Sequence, residues 1–394
     1  MLKNSAPVVV LGYARTPVGS FGKSLAKVPA HVLGATAASS ALERAGVAPE
    51  RVDEWIIGCV GATGTDAYIA RRIAIEAGAA VASTAMTVNR LCGSGMQAIA
   101  LGASDLLVGE SEVIVAGGAE NMSSQPFLDY SARSGYTVGD RTLMDGTRSM
   151  ITDPFSMEPM GVTAENVAER FGVSRSAQDE YAVESHRRAQ QALASGAVAA
   201  ELTPVTIETR RGLTVVDSDE HPRHVTAEKL DRMPAVFRDG GTVTAGNSSG
   251  INDGGAAMVL SRLSFARKEG LSPLAELVDF TKVGIEPEIM GYAPKPAVEK
   301  ILLRNGLSTT DLDWIELNEA FAAQAVPVIR DLGLEPATVN PLGGAIAWGH
   351  PVGATGAIIS ARTIEGLRRK HLELGLATMC VGGGQAVASL WRAL

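Results

Sequence analysis

Three cysteines and one glycine-embedded histidine carry the covalent chemistry open to this 394-residue chain. Cys92 sits in Asn89-Arg90-Leu91-Cys92-Gly93-Ser94-Gly95, between an apolar strand run and a helix expected to begin near Met96. A thiol at a helix N-terminus feels unpaired N–H groups and the positive dipole end. Its pKa is therefore expected to fall from about 8.5 toward neutrality. The flanking glycines let a carbonyl approach the backbone, where the same N–H groups can serve as oxyanion donors. His350 lies in a loop holding Gly343, Gly344, Gly349, Gly353 and Gly356, an unusual setting for a satisfied core histidine. Brought beside Cys92, it would form a thiol–imidazole pair for nucleophilic catalysis. Cys380 ends an apolar run before Gly382-Gly383-Gly384, at the strand end where α/β proteins bind ligands, although a buried structural thiol fits equally well. Cys59 has no such companion and reads as structural. Asn318-Glu319 follows the run 314–317 and suggests a site contribution; for Asn318 alone, capping a helix that starts at Ala320 is the simpler reading. Of the other histidines, His31, His186 and His371 read as surface residues, while His221 and His224 could face an anion.

Apolar strand runs at 8–11, 55–57 and 113–116 alternate with helical stretches such as 35–45, closed by Gly46, which points to an α/β architecture. The order then repeats. Leu42-Glu43-Arg44-Ala45-Gly46 and Asp53-Glu54-Trp55-Ile56 match Leu302-Leu303-Arg304-Asn305-Gly306 and Leu312-Asp313-Trp314-Ile315. Thr87-Val88-Asn89-Arg90-Leu91 matches Thr338-Val339-Asn340-Pro341-Leu342, and Val115-Ala116-Gly117-Gly118 matches Cys380-Val381-Gly382-Gly383. Three landmarks in one order imply two duplicated halves with a crevice between them. Residues 1–119 with 247–272 form the first half and 273–394 the second. Residues 120–246 break the alternation and read as an inserted lid or loop domain, with helices expected over 163–171 and from Ser176, its proposed N-cap.

Composition narrows the classes. With 35 Lys+Arg against 43 Asp+Glu, a chain-wide basic surface for nucleic acid is not expected. No uninterrupted apolar run reaches the roughly 18 residues of a membrane span, and 8–11 lacks the features of a signal peptide. A cytoplasmic protein with reduced thiols and no metal site is the expectation. Gly93-Ser94-Gly95-Met96-Gln97-Ala98 has the dinucleotide-fingerprint spacing, but the acid that should end the next strand is displaced, since Glu112 begins it.

Together these residues resemble the thiolase family, across essentially the whole chain. The resemblance rests on Asn89-Arg90-Leu91-Cys92-Gly93-Ser94-Gly95, Asn318-Glu319-Ala320-Phe321-Ala322, Gly343-Gly344-Ala345-Ile346-Ala347 with Gly349-His350-Pro351, and Cys380-Val381-Gly382-Gly383-Gly384. It implies a five-layered α-β-α-β-α fold and reversible, ping-pong Claisen condensation of acyl-CoA with acetyl-CoA. Cys92 would be the acylated nucleophile, His350 its activator and Cys380 the acid/base for the α-proton. Asn318 would hold a water that forms one oxyanion hole with His350, and the N–H groups of Cys92 and Gly382 would form the other. Coenzyme A would be substrate, not resident cofactor. Arg223 would meet its nucleotide, Ser249 and Ala245 its pantetheine, and Met160, Phe237, Met290 and Phe321 would pack around pantetheine and acyl group. A dimer or a tetramer built as a dimer of dimers is implied. The activity would be that of an acetyl-CoA acetyltransferase or a 3-ketoacyl-CoA thiolase, with medium-chain, long-chain or 3-oxoadipyl-CoA substrates as alternatives. Pro159, Trp348 and Thr65-Asp66-Ala67-Tyr68 depart from the common pattern, and Trp348 is expected to alter the acyl pocket. Cys380 argues against a decarboxylating condensing enzyme.

Overall fold

A computed structural model describes residues 7–210 and 212–394. In chain order, the first half contains β1 (Val8–Arg15), α1 (Ala30–Ala45), β2 (Glu54–Gly58), α2 (Ile69–Glu76), β3 (Thr84–Val88), α3 (Ser94–Val108) and β4 (Val113–Asn121). The insertion contributes α4 (Met160–Phe171) and α5 (Arg175–Ala194). Then follow β5 (Asn252–Arg262), β6 (Ala275–Gly284), α6 (Pro294–Asn305), β7 (Trp314–Leu317), α7 (Ala322–Leu332), α8 (Val352–Lys370), β8 (Leu374–Val381) and β9 (Gln385–Ala393).

The strands join in the order β7-β8-β9-β6-β1-β5-β4-β2-β3, with the short strand Gly19–Ser20 added beside β5. Duplication is visible in the pairing. β2 runs parallel to β4, which is antiparallel to β5, which is antiparallel to β1. β7, β8, β9 and β6 repeat that series, and the halves meet where β1 pairs with β6. Each half even carries its register shift at the same step, between Val10 and Gly12 in β1 and between Leu277 and Asp279 in β6.

Hydrogen bonds correct two of the sequence matches. Asp53 accepts from the N–H groups of Glu112 and Val113, and Asp313 accepts from those of Glu373 and Leu374. Asp53 therefore corresponds to Asp313, one step off the tryptophan match, and Val113 corresponds to Leu374. The place of Cys380 is then taken by Ala119, not Val115. The two Gly-Gly pairs misled because they do different work. Gly117 and Gly118 stay inside β4, where a Cβ would lie 2.1 Å from the Ala256 carbonyl oxygen and 2.0 Å from that of Gly353. Gly383 and Gly384 both have φ of 80° and make a turn.

Alternating side chains separate the layers. Ile57, Val115 and Val259 face outward onto Leu42 of α1 and Ile73 of α2. Ile56, Ile114 and Leu260 face inward onto α3 and α8, through Ile99, Leu106, Ile358 and Ile364. Leu317, Leu376 and Leu390 of the second half pack outward on Val298 of α6 and Val328 of α7. Helices thus lie outside each half-sheet and between the two, the five layers the resemblance implies. Each fully buried Leu, Ile or Val contributes about 1.5–3 kcal/mol relative to exposure. The central helices touch through glycine: a Cβ on Gly356 would lie 2.4 Å from the Met96 nitrogen. The window Leu91–Val108, mean hydropathy 1.3, is long and apolar enough by composition to cross a membrane, although polar residues interrupt its apolar run. Its place in the central layer, where α3 is buried over most of its length, accounts for that composition.

Element ends moved by a few residues for local reasons. α4 starts at Met160 behind Pro159, and α5 is capped by Ser174, whose hydroxyl accepts from Ala177 N–H at 3.2 Å, in place of Ser176. α7 begins after Phe321, so Asn318 is not its cap. The insertion is pinned to both halves by a buried ion network. Arg15 bonds Glu201 at 2.8 Å and Asp219 at 2.7 Å, and Arg362 of α8 shares Glu201 at 2.8 Å.

Candidate active site

A locked turn presents Cys92. The Asn89 carboxamide oxygen accepts from Leu91 N–H at 2.9 Å, while the Ser94 hydroxyl accepts from Arg90 N–H at 2.8 Å and donates to the Leu91 carbonyl at 2.6 Å. These bonds hold Leu91 at φ 45°, a left-handed conformation costing on the order of 1–3 kcal/mol for a residue with a side chain. The sulfur receives hydrogen bonds from the backbone N–H of Gly382 and of Cys92 itself. At Gly382 the packing is tight, since a Cβ there would lie 3.0 Å from both the Leu91 Cδ1 and the Met160 Cε.

The thiol is nevertheless not acidic. Burial pushes its pKa up to about 11 against those two N–H bonds, and the charge of Glu120 adds to the rise. The sequence expectation of a near-neutral thiol fails because desolvation of the thiolate outweighs the helix-end field. As a nucleophile it would need a base to take its proton.

His350, on the same cavity, carries an imidazole of fixed orientation. Its backbone N–H donates to the Asn252 carboxamide oxygen at 2.8 Å, and its Nδ1 lies 2.7 Å from the Thr355 hydroxyl. That hydroxyl already donates to the Pro351 carbonyl at 2.9 Å, so it accepts from an Nδ1–H. The tautomer is thereby set, and Nε2, which has no hydrogen-bond partner, carries the free lone pair. Burial pushes the imidazole down to about 4, which keeps it an uncharged base at neutral pH.

Cys92, His350, Cys380 and Gly382 line one cavity of about 550 Å³. Cys380 ends β8 in full burial, its thiol pushed strongly upward by desolvation and by the nearby Cys92. Asn318 does not line this cavity. It borders a separate space of about 20 Å³ together with Thr355 and Arg362, with both of its side-chain polar atoms unpaired. That is room for one water beside groups able to hold it. Trp348 borders the same small space, its indole N–H bonded to the Leu342 carbonyl at 2.8 Å. It lies behind the His350 loop and not in the acyl cavity, contrary to the sequence expectation.

All seven residues assigned to ligand binding reach the large cavity. Met160, Phe237, Met290 and Phe321 form an apolar stretch of its wall, with the Phe237 and Phe321 rings edge to face at 6.2 Å. Ala245 and Ser249 line it beside His221, and Arg223 stands exposed at its rim. Pro159 lines it too. His186 was misread as a surface residue: it is 1% exposed, with neither ring nitrogen paired. Its helix α5 looked solvated because its polar side chains face inward onto the second half. There Ser185 and Tyr181 donate to the buried carboxylate of Glu319 at 2.7 and 2.9 Å. Glu319 also receives the Ile346 N–H at 3.2 Å, tying the His350 loop to β7. Sequence reasoning missed Thr355 and Asn252, although a hydroxyl one helical turn past a histidine was a signal. Among the described residues, no group of three or more His, Cys, Asp or Glu could hold a metal ion.

Comparison with known proteins adds an independent finding. Residues 8–264 match the family described as "Thiolase, N-terminal domain" and residues 271–393 match "Thiolase, C-terminal domain". The chain is 45% identical to the β-ketothiolase BktB of Cupriavidus necator over 388 residues, 98% of each chain. It is 44% identical to an acetyl-CoA acetyltransferase of Paracoccus denitrificans over 382 residues, covering 96% of this chain and 97% of that one. The Bacillus anthracis acetyl-CoA acetyltransferase superposes with a TM-score of 0.97 at 42% identity, over 99% of both chains. The human mitochondrial 3-ketoacyl-CoA thiolase in complex with CoA does so with a TM-score of 0.95 at 38% identity, over 99% of this chain and 98% of that one.

Proposed function

This chain belongs to the thiolase family and is an enzyme of the acetyl-CoA acetyltransferase and 3-ketoacyl-CoA thiolase kind, and on that premise we propose how its own residues carry the reaction. The supporting observation is the convergence of Cys92, His350, Cys380 and the Gly382 N–H in one cavity. Cys92 Sγ attacks the thioester carbonyl as its proton passes to His350 Nε2. The developing oxyanion is held by preorganised N–H donors, those of Cys92 and Gly382. The C–S bond to CoA breaks, and the leaving thiolate takes the proton of Cys380. Cys380, now a thiolate opposite a protonated His350, removes the α-proton of acetyl-CoA bound next. The resulting carbanion attacks acyl-Cys92, the C–C bond forms and the C–Sγ bond breaks. Cys92 then recovers its proton from His350. Every proton returns to its starting residue except the α-proton, which in effect leaves on CoA. In the reverse direction CoA thiol cleaves the 3-ketoacyl chain.

In this reading the protonated His350 Nε2 stabilises the enolate oxygen of the second thioester, and a water held by Asn318 sits in the small space beside Thr355, the partner of His350. Arg223 at the exposed rim suits the charged nucleotide end of CoA, and the apolar wall suits pantetheine and an acetyl or short acyl group. Acid-quenched enzyme treated with radiolabelled acetyl-CoA should carry label on the peptide containing Cys92; label elsewhere, or none, would overturn the assignment.

The same reading includes a homo-oligomer, a dimer or a dimer of dimers. β3 is an exposed edge strand, with Met86 43% exposed, and the insertion exposes Phe127, Tyr130, Tyr136 and Val138 on one short segment. Both features suit burial against a second copy. Three free cysteines suit a reducing cytoplasm.

A further inference from the structure

Glu120 is a buried carboxylate that the catalytic steps leave unused. It ends β4 with no exposed surface and gathers hydrogen bonds from two separate loops. On one side it accepts from the N–H groups of Val60 and Gly61, each at 2.9 Å, and lies 3.7 Å from the Cys59 sulfur. On the other it accepts from Gly353 N–H at 3.0 Å, in the first turn of α8 directly after His350 and Pro351. That helix has no cap of its own, since Pro351 supplies no side-chain bond. Val60 and Val352, neighbours of these donors, both line the catalytic cavity. The β2 end also rests on the start of α3, for a Cβ on Gly58 would lie 2.5 Å from the Ser94 carbonyl carbon. One carboxylate from the first half therefore binds the first turn of the helix that follows His350, while holding the loop next to the helix that follows Cys92.

We propose that Glu120 is a positioning residue: it sets the separation between the starts of α3 and α8, and so between Cys92 and His350. This rests on reading those two as nucleophile and base. The starts of α3 and α8 also touch directly, a Cβ on Gly95 lying 3.0 Å from the Gly353 carbonyl oxygen, and Glu120 adds the hydrogen bonds that tie the 60–61 loop to Gly353. A glutamine fills the same volume but turns one oxygen into an N–H₂ aimed at backbone donors. A displacement of about 1 Å in a reacting pair can cost on the order of 100-fold in rate.

The experiment compares full-length Glu120→Gln with the unsubstituted enzyme in thiolysis of acetoacetyl-CoA, alongside iodoacetamide alkylation of Cys92 as a function of pH. The expected result is a kcat lower by on the order of 100-fold with KM for CoA unchanged. The alkylation curve should move to lower pH, because a negative charge that opposes the Cys92 thiolate has gone. An unchanged kcat, or a KM that rises in step with the loss, would overturn the proposal, as would an alkylation curve that does not move. Should Glu120→Gln not fold, Glu120→Asp keeps the charge but draws the carboxylate back. Its kcat should fall while its alkylation curve stays in place, and an unaltered kcat overturns the proposal equally. Acyl labelling of the unsubstituted enzyme separates the two ideas. Label on Cys92 with normal kinetics in both variants sinks Glu120 alone, whereas absence of label sinks the reading beneath it.

Discussion

The two halves share strand order, register shift and the aspartate that pins each parallel pair, yet they hold different chemistry at equivalent places. Where β8 ends in Cys380, β4 carries Ala119. Where β7 leads into Asn318 and Glu319, β2 leads into Gly58 and Cys59. Each half also buries a carboxylate behind the site, and the two differ in what they join. Glu319 ties the second half to the insertion, gathering Ser185, Asn340 and Ile346 around the His350 loop. Glu120 spans the halves. The repeated frame thus places loops on one cavity, and a few differing residues put Cys92 in one loop and His350 in the other.

The sharpest way to break that comparison is to remove the base. His350→Ala should lower acyl transfer to Cys92 by about 10²–10⁴-fold, measured by single-turnover CoA release, because the buried thiol is protonated at neutral pH. The unsubstituted enzyme should lose acyl transfer as pH falls through about 4, where His350 gains a proton. Cys380→Ser comes next. It should slow acylation of Cys92 only modestly, since CoA can leave as a thiolate, and lose condensation by about 10²-fold or more, so rapid-quench labelling and acetoacetyl-CoA formation should separate. Equal loss of both would show that Cys380 serves the acylation step as much as the α-proton step. Thr355→Val should cost roughly tenfold in kcat by releasing the imidazole tautomer, an effect of about 1.4 kcal/mol, the worth of one ordinary hydrogen bond. Equal KM values for CoA would assign that cost to orientation. The smallest effects test the frame. Gly46 and Gly306 end α1 and α6 with φ of 64° and 68° and open space where a Cβ would go. Alanine at either should destabilise by a similar amount, about 1–2 kcal/mol in denaturant unfolding. A large disparity would show that the halves do not share their energetics.

Much of this was legible in the residues. Continuous apolar runs and the amphipathic stretches between them identified strands and helices, because burial leaves its mark on the local composition of the chain. Cys92 and His350 stood out because reactive groups set amid glycines contribute little to packing, whereas Cys380 fitted a structural thiol equally well and the role of Gly382 came from the family resemblance. What escaped was whatever depends on partners far away in sequence. The Cys92 thiol looked acidic from its helix end, but its environment is set by the cavity wall. His186 looked solvated on a polar helix, and Trp348 looked adjacent to the ligand because it is adjacent to His350 in the chain. Gly117-Gly118 looked equivalent to Gly382-Gly383, since the backbone packed against it cannot be seen from one segment.

The amino-acid order alone determined the α/β class, the duplication and the reactive side chains, since each is written in spacing of a few residues. Only the tertiary structure decided which half's residue answers to which, how strongly each proton is held, and that Glu120 joins the two helix starts. Register and desolvation are properties of surfaces that meet across more than two hundred residues, as Glu120 and Gly353 do. No local pattern carries that information.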